Sequence, residues 1–287
     1  MDLFAGIGLK KLFFKQVRGT NYRTHQTLNT CIPEVLVLGS SRASHHYNPQ
    51  PFYQAGMSSF YNGGRDGTLF EYNLACIKSI LKRHHPKMII ADLNFEDFYE
   101  NNKPNENLRS IIPFYHTNPE LQHLIIAVRG KLEPLKQLSR VYPYNSTLLN
   151  SISNIVRAPN PQDTAGYMPL EGTMDQTLVD TVNFENSNFN LFRLDLFKRT
   201  IALCAKKKVE LVFVQSPRYA YYQNHKIEQI LKVTTTQNVG RFFSFANDTF
   251  FMSRPFLFKD QSHLNDSGAT IFSKILIEKI NHHTIIK

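Results

Sequence analysis

The chain has 287 residues, of which 42% are hydrophobic, 12% aromatic and 20% charged, with no tryptophan and a formal net charge of +10. That length suits one core carrying an inserted segment, and the composition excludes a disordered chain. The positive charge suits a polyanionic partner, yet outside Lys10, Lys11, Lys15, Arg18 and Arg23 it is scattered and no nucleic-acid-binding motif accompanies it, so nucleic acid is not expected as a partner.

At the N-terminus, Leu3, Phe4, Ile7 and Leu9 precede or interleave with those basic residues, and no acid lies between Asp2 and Glu34. Residues 1–33 read as a basic amphipathic lead-in, suited to a membrane surface or to life as a solvated helix. No run of about 18 apolar residues and no signal-peptide pattern occurs, so the chain as given is expected to be soluble. Membrane proximity would then arise through a segment outside it.

Residues 34–287 have the pattern of one α/β domain. Val35, Leu36, Val37 and Leu38 run consecutively, as in a strand covered on both faces, and the pattern returns at Lys87–Asn94 and Val209–Pro217. Shorter strands are expected at Ser58–Gly64 and Arg241–Ala246. Phe70, Leu74, Ile77 and Leu81 recur at helical spacing before Pro86, and Leu194, Phe197, Ile201 and Cys204 repeat that rhythm over Leu191–Lys208. A last helix opens at Asn265-Asp266-Ser267, whose side chains suit capping, and packs through Phe272, Ile275, Leu276 and Ile280. The alternation predicts a mostly parallel sheet with helices on both faces and its functional loops at the carboxyl ends of the strands.

Residues 100–190 break this alternation after the third strand. They are rich in Asn and Pro, with short helical pieces at Leu132–Leu138 and Ser146–Ile155, and read either as an insertion that caps or borders the site or as a surface excursion. Cys31, Cys76 and Cys204 are far apart with no C-x-x-C pair, which predicts buried thiols and neither a disulfide framework nor a thiolate metal site.

Four short stretches carry the candidate chemistry. The first strand ends on Gly39-Ser40-Ser41-Arg42, and a serine there is a nucleophile if a base can reach it. Of the eleven histidines, His45-His46, His84-His85 and His282-His283 are adjacent pairs. Neighbouring side chains diverge, so these predict solvated or capping histidines and no metal site. His263 follows Asp260 by three residues in the loop before the last helix. One ring nitrogen can be held by the carboxylate while the other takes a hydroxyl proton, although D-x-x-H also serves as a helix cap. Asn62, Gly64 and Gly67 form an N-x-G-x-x-G run, in which a glycine amide can point into a site or simply complete a tight turn. It lacks a phosphate loop's Lys-Ser/Thr, and no cofactor is expected. Asn94, after the third strand, is an oxyanion donor or a turn former.

In chain order, strand-Gly-x-Ser, Asn-x-Gly-x-x-Gly, an Asn after a strand and Asp-x-x-His before the final helix resemble the blocks of the SGNH (GDSL-like) hydrolase superfamily, from Val35 to about Ile280. The resemblance implies a flavodoxin-like three-layer α/β/α sandwich with a parallel sheet of about five strands. It makes Ser41 the nucleophile, His263 the base and acid, and Asp260 its orienting carboxylate, with the Ser41 amide, the Gly64 amide and the Asn94 side chain as the oxyanion hole. Arg42 and Asn62 are expected to contact substrate; an Arg42 paired outward with Asp66 or Asp260 is the alternative. The chain departs from the family pattern where Ser40 replaces the usual Asp and where Asp92-Leu93-Asn94-Phe95 replaces Gly-x-Asn-Asp, leaving Asp92 a structural hydrogen bond at the strand end.

"LGSSRA" with "NGGRDG" is similar to a bacterial cell-envelope branch linked to acylated polysaccharides, whose members often follow one N-terminal membrane span. The implied activity is that of a serine esterase or acyltransferase acting on an O-acylated carbohydrate or similar ester. Tyr47, Tyr53, Tyr61, Tyr219, Tyr221 and Tyr222 are available to stack on a glycan or to cover a core edge. The rival expectation is a non-catalytic glycan-binding module that keeps the fold.

Overall fold

The apolar runs of the sequence assemble into one parallel sheet. The computed structural model describes residues 1–100, 111–145, 148–156, 165–174, 178–185, 187–238 and 240–284. Its strands are β1 (Val35–Leu38), β2 (Phe60–Asn62), β3 (Met88–Asp92), β4 (Asp180–Asn183), β5 (Glu210–Gln215), β6 (Ala220–Gln223) and β7 (Arg241–Ser244). The main sheet has five strands in the order β2-β1-β3-β5-β7, all parallel. This is the flavodoxin-like order once the β4-β6 ribbon is set aside.

The helices are α1 (Asp2–Phe14), α2 (Gly19–His25), α3 (Ser41–His46), α4 (Pro49–Gln54), α5 (Phe70–Ile80), α6 (Pro119–Arg129), α7 (Glu133–Lys136), α8 (Leu148–Val156), α9 (Leu191–Lys206), α10 (Lys226–Thr236), α11 (Thr249–Met252) and α12 (Asp266–Thr284). Two cores sandwich the sheet, because alternate strand residues point to opposite faces. Leu36, Leu38, Ile89, Ala91 and Phe213 join residues of α5, α6 and α9 on one side. Val35, Val37, Ile90, Val212 and Val214 join residues of α3, α4 and α12 on the other. Both faces being covered explains why β1 and β3 are apolar without alternation.

The lead-in belongs to the first of these layers, since Phe13 and Leu28 are buried in the same cluster as Leu36. Asn265 caps the last helix by accepting from the Gly268 amide at 2.9 Å. The Asn/Pro-rich stretches at 101–110 and 157–164, and Ser146 of the expected second helical piece, lie outside the described residues. The first piece is shorter than its spacing predicts: α7 spans Glu133–Lys136 only, with Leu132, Leu135 and Leu138 exposed. The β4-β6 ribbon, also parallel, is an element the strand pattern does not announce. Among the described residues no helix is long and apolar enough to cross a membrane.

Cys76 and Cys204 are buried free thiols, each pushed by burial up to about 12, and Cys31 is half-buried.

Candidate active site

The sheet reverses its direction of growth between β1 and β3, and the chain leaving β1 enters that crevice, the usual ligand position in such folds. Gly39 makes the exit possible. A Cβ there would lie 2.7 Å from the Ala43 Cβ and 2.9 Å from the Asp92 Cβ, so only glycine lets β1 turn directly into α3. Ser40 is the N-cap of α3 and supplies no side-chain cap, while Ser41 opens the first turn, whose amides have no intrahelical acceptor.

The other half of the site is the loop before α12. Phe258 and Leu264 form an antiparallel bridge, and the Lys259 amide donates to the His263 carbonyl at 2.8 Å. Inside that turn Asp260 Oδ1 accepts from the amides of Ser262 at 2.8 Å and His263 at 2.9 Å. His263 Nδ1 lies 3.0 Å from both Asp260 oxygens, and His263 Nε2 lies 2.8 Å from Ser41 Oγ. An ionised carboxylate only accepts, so Nδ1 carries the hydrogen and Nε2 is left to accept from the serine hydroxyl. Burial pulls the Asp260 carboxyl upward, but the hydrogen bonds from His263 and from the Ser262 and His263 amides outweigh it and hold it below its ordinary range. The structure thus brings together three residues that lie up to 222 positions apart in the chain.

Two further histidines flank the His263 ring. His46, wholly buried, accepts from the Leu264 amide through Nε2 at 3.0 Å, so its Nδ1 carries the hydrogen donated to Ser216 Oγ, also at 3.0 Å. Burial and then the nearby Arg42 cation keep its pKa well below the ordinary value. His45 stands edge-on to His263 with ring centroids 5.4 Å apart, and donates from Nδ1 to the Met168 carbonyl at 2.7 Å. Solvated or capping roles are therefore wrong for this pair. The α-helix beginning at Ser41 carries positions four and five residues later back beneath the loop, which adjacency in sequence does not reveal.

Arg42 turns inward and is engaged within the protein. It is 4% exposed and lies 3.5 Å from Asp92, with hydrogen bonds to the Ser216 carbonyl at 3.3 Å and to the Leu93 carbonyl. Its partner is thus neither Asp66 nor Asp260. Asp92 also accepts from Tyr47 Oη at 2.6 Å, and burial pushes its carboxyl above the ordinary value despite the Arg42 charge. Asn62 is equally enclosed: Nδ2 donates to the Ala43 carbonyl at 2.6 Å, and Oδ1 accepts from the Gly64 amide at 3.0 Å.

That last bond corrects the expectation for Gly64, whose single N–H closes a turn within its own loop instead of pointing into the site. Asn94 Nδ2 donates to Glu96 Oε2 at 3.0 Å, which leaves it one further hydrogen. Glu96 in turn receives Arg218 at 2.8 Å, and the amide of the next residue, Tyr219, donates to the Gln261 carbonyl at 2.9 Å. Of the tyrosines expected near the site, Tyr47, Tyr219 and Tyr222 are core residues, and Tyr221 and Tyr53 are exposed.

Residues 165–174 of the inserted region border this constellation. The Ala165 carbonyl accepts from the Asn62 amide at 2.7 Å, the Met168 amide donates to the Ser44 carbonyl at 2.9 Å, and Tyr167 Oη donates to Asp266 at 2.8 Å. The Leu170 carbonyl accepts from the Asp266 amide at 2.9 Å. The segment therefore ties the loop of Asn62, the serine helix and the start of α12 together. Among the described residues no group of three or more His, Cys, Asp or Glu is arranged to hold a metal ion.

No protein-family model matches the chain, and no curated protein matches it in sequence.

Proposed function

We propose that the protein is a serine esterase or acyltransferase of the SGNH type. The observation that carries this reading is the 2.8 Å hydrogen bond between Ser41 Oγ and His263 Nε2, with Asp260 behind the ring. His263 takes the hydroxyl proton as Ser41 Oγ attacks an ester carbonyl, and the tetrahedral intermediate collapses when the imidazolium returns that proton to the departing alcohol. Water or another hydroxyl, deprotonated by the same nitrogen, then attacks the acyl-enzyme and frees Ser41. The Ser41 amide and the second Asn94 Nδ2 hydrogen are the oxyanion donors in this scheme, each such donor being worth roughly 3 kcal/mol.

An O-acylated carbohydrate or a similar ester is the proposed substrate, and the cell envelope the proposed location. Both rest on the resemblance of the motifs. Labelling with a fluorophosphonate tests the chemistry: modification at Ser41, lost in Ser41→Ala and His263→Ala, together with hydrolysis of p-nitrophenyl acetate, is the expected result.

One observation favours a second reading. With the Gly64 amide engaged by Asn62, the oxyanion hole lacks one of the family's donors. A non-catalytic glycan-binding module would leave Ser41 unlabelled in a folded sample while still retaining acylated glycan.

A further inference from the structure

Helix α1 packs against α8 and against the chain that follows α7. Asp2 accepts from Ser139 Oγ at 2.8 Å and from the Arg140 amide at 2.7 Å. Gly6 lies so close to Arg140 that an added Cβ would stand 2.6 Å from its carbonyl oxygen. At the far end of α1, Asn154 of α8 donates to Gln16 Oε1 at 2.9 Å.

Each of the three segments turns large apolar side chains to solvent. On α1, Leu3, Phe4 and Ile7 fall within one arc of roughly 100°, centred about 120° around the helix from buried Gly6 and Phe13. Leu132, Leu135 and Leu138 follow at intervals of three through α7, and Leu149, Ile152 and Val156 share one face of α8. Phe4, Leu149 and Val156 are 79%, 82% and 80% exposed. Scattered exposed leucines need no explanation, but a concentration on three touching segments does.

The surrounding charge is predominantly positive. Lys11 and Lys15 continue the exposed arc of α1 beyond Ile7, and Lys131, Lys136 and Arg140 flank the leucines of the α7 segment. The acids of these segments are Asp2, held by Ser139 and Arg140, and Glu133, buried against Arg129 and Lys136. A second copy docking through the same face would set cation against cation, because a two-fold interface pairs a patch with itself. Acyl chains beneath a layer of phosphates match both halves of the pattern. We propose that this face binds peripherally to a bilayer containing anionic lipid, with the apolar side chains at the headgroup–acyl boundary and the lysines at the phosphates. The inference stands apart from the hydrolase reading and uses none of its residues.

The test is flotation of the full chain with phosphatidylcholine vesicles, pure or carrying about 30% phosphatidylglycerol. The protein should float with the anionic vesicles at least about tenfold more than with the neutral ones, and about 0.5 M salt should release most of it. The variant Phe4→Asp/Leu135→Asp/Leu149→Asp, altered only at exposed positions, should keep its melting temperature and lose flotation. Lys10→Glu/Lys11→Glu/Lys15→Glu should lose the anionic preference, and Ser41→Ala should float like the parent. Three results overturn the proposal: no flotation with either vesicle, equal flotation with both, or flotation unchanged in the apolar variant. Self-association abolished by that variant, without lipid binding, would assign the face to a second copy instead.

Discussion

The Leu264 amide donates to His46 Nε2 at 3.0 Å, so the residue next to His263 is fixed by a neutral imidazole on the serine's own helix. His46 can accept that bond only while Nε2 is unprotonated, and its burial depresses the folded-state pKa below the unfolded one. The unfolded chain therefore takes up a proton that the folded chain refuses. Stability is complete above about pH 6.5 and declines as pH falls toward the lower folded pKa, by at most about 1.4 kcal/mol per pH unit for this residue. Buried His45 is shifted in the same sense. Thermal melts between about pH 7 and pH 5 should show the decline, and His46→Gln, which keeps an acceptor but cannot titrate, should flatten it. A decline of the same slope in the variant would refute this role.

Asp260 holds the His263 tautomer, so Asp260→Asn should leave the fold intact and slow acylation by roughly 10²–10⁴. The carboxylate is about half exposed, so little stability should be lost with it. Fluorophosphonate labelling rates and melting temperatures measured on the same samples separate the two effects; a large fall in melting temperature with unchanged labelling would contradict the assignment.

The fold was legible in the sequence because β1, β3 and β5 are buried on both faces and announce themselves as continuous apolar runs, while α5 and α9 keep helical spacing to one core. Ser41, His263 and Asp260 were legible as local patterns whose convergence follows from a parallel sheet with its loops at one rim. The neighbours of those residues were not. Arg42, His45, His46 and Asn62 look like exposed polar residues, and their burial depends on Asp92, Ser216, Met168 and Ala43 arriving from distant segments. Nor does the composition of 165–174 signal that its backbone bonds to Asn62, Ser44 and Asp266.

Arg42 and Asp92 form a buried ion pair in which Arg42 also donates to the Ser216 and Leu93 carbonyls and Asp92 accepts from Tyr47 Oη, while burial still raises the Asp92 carboxyl. Removing one member strands the other charge, at a cost of about 3–5 kcal/mol. Arg42→Ala should consequently lower stability and reduce turnover of acidic and neutral esters alike. Urea titrations of Arg42→Ala, Asp92→Ala and the double variant should be strongly non-additive, the double losing much less than the sum of the singles. Additive losses, or a selective effect on acidic substrates, would return Arg42 to a substrate-binding role.

Gly64 packs against the helix that carries Ser41, and a Cβ at that position would stand 2.8 Å from the Ala43 carbonyl carbon and closer still to the Ser44 nitrogen. Both are backbone atoms, so no side chain can rotate away to make room. Gly64→Ala should therefore displace α3, costing about 1–3 kcal/mol, and should draw Ser41 Oγ out of reach of His263 Nε2. Asn62→Ala reaches the same helix by another route, removing the amide that donates to the Ala43 carbonyl and the oxygen that accepts from Gly64. If Asn62 and Gly64 act by holding α3 in place, both variants lose stability and acylation rate together. Unchanged stability with a selective rise in KM for one substrate class would mean that these residues touch substrate after all.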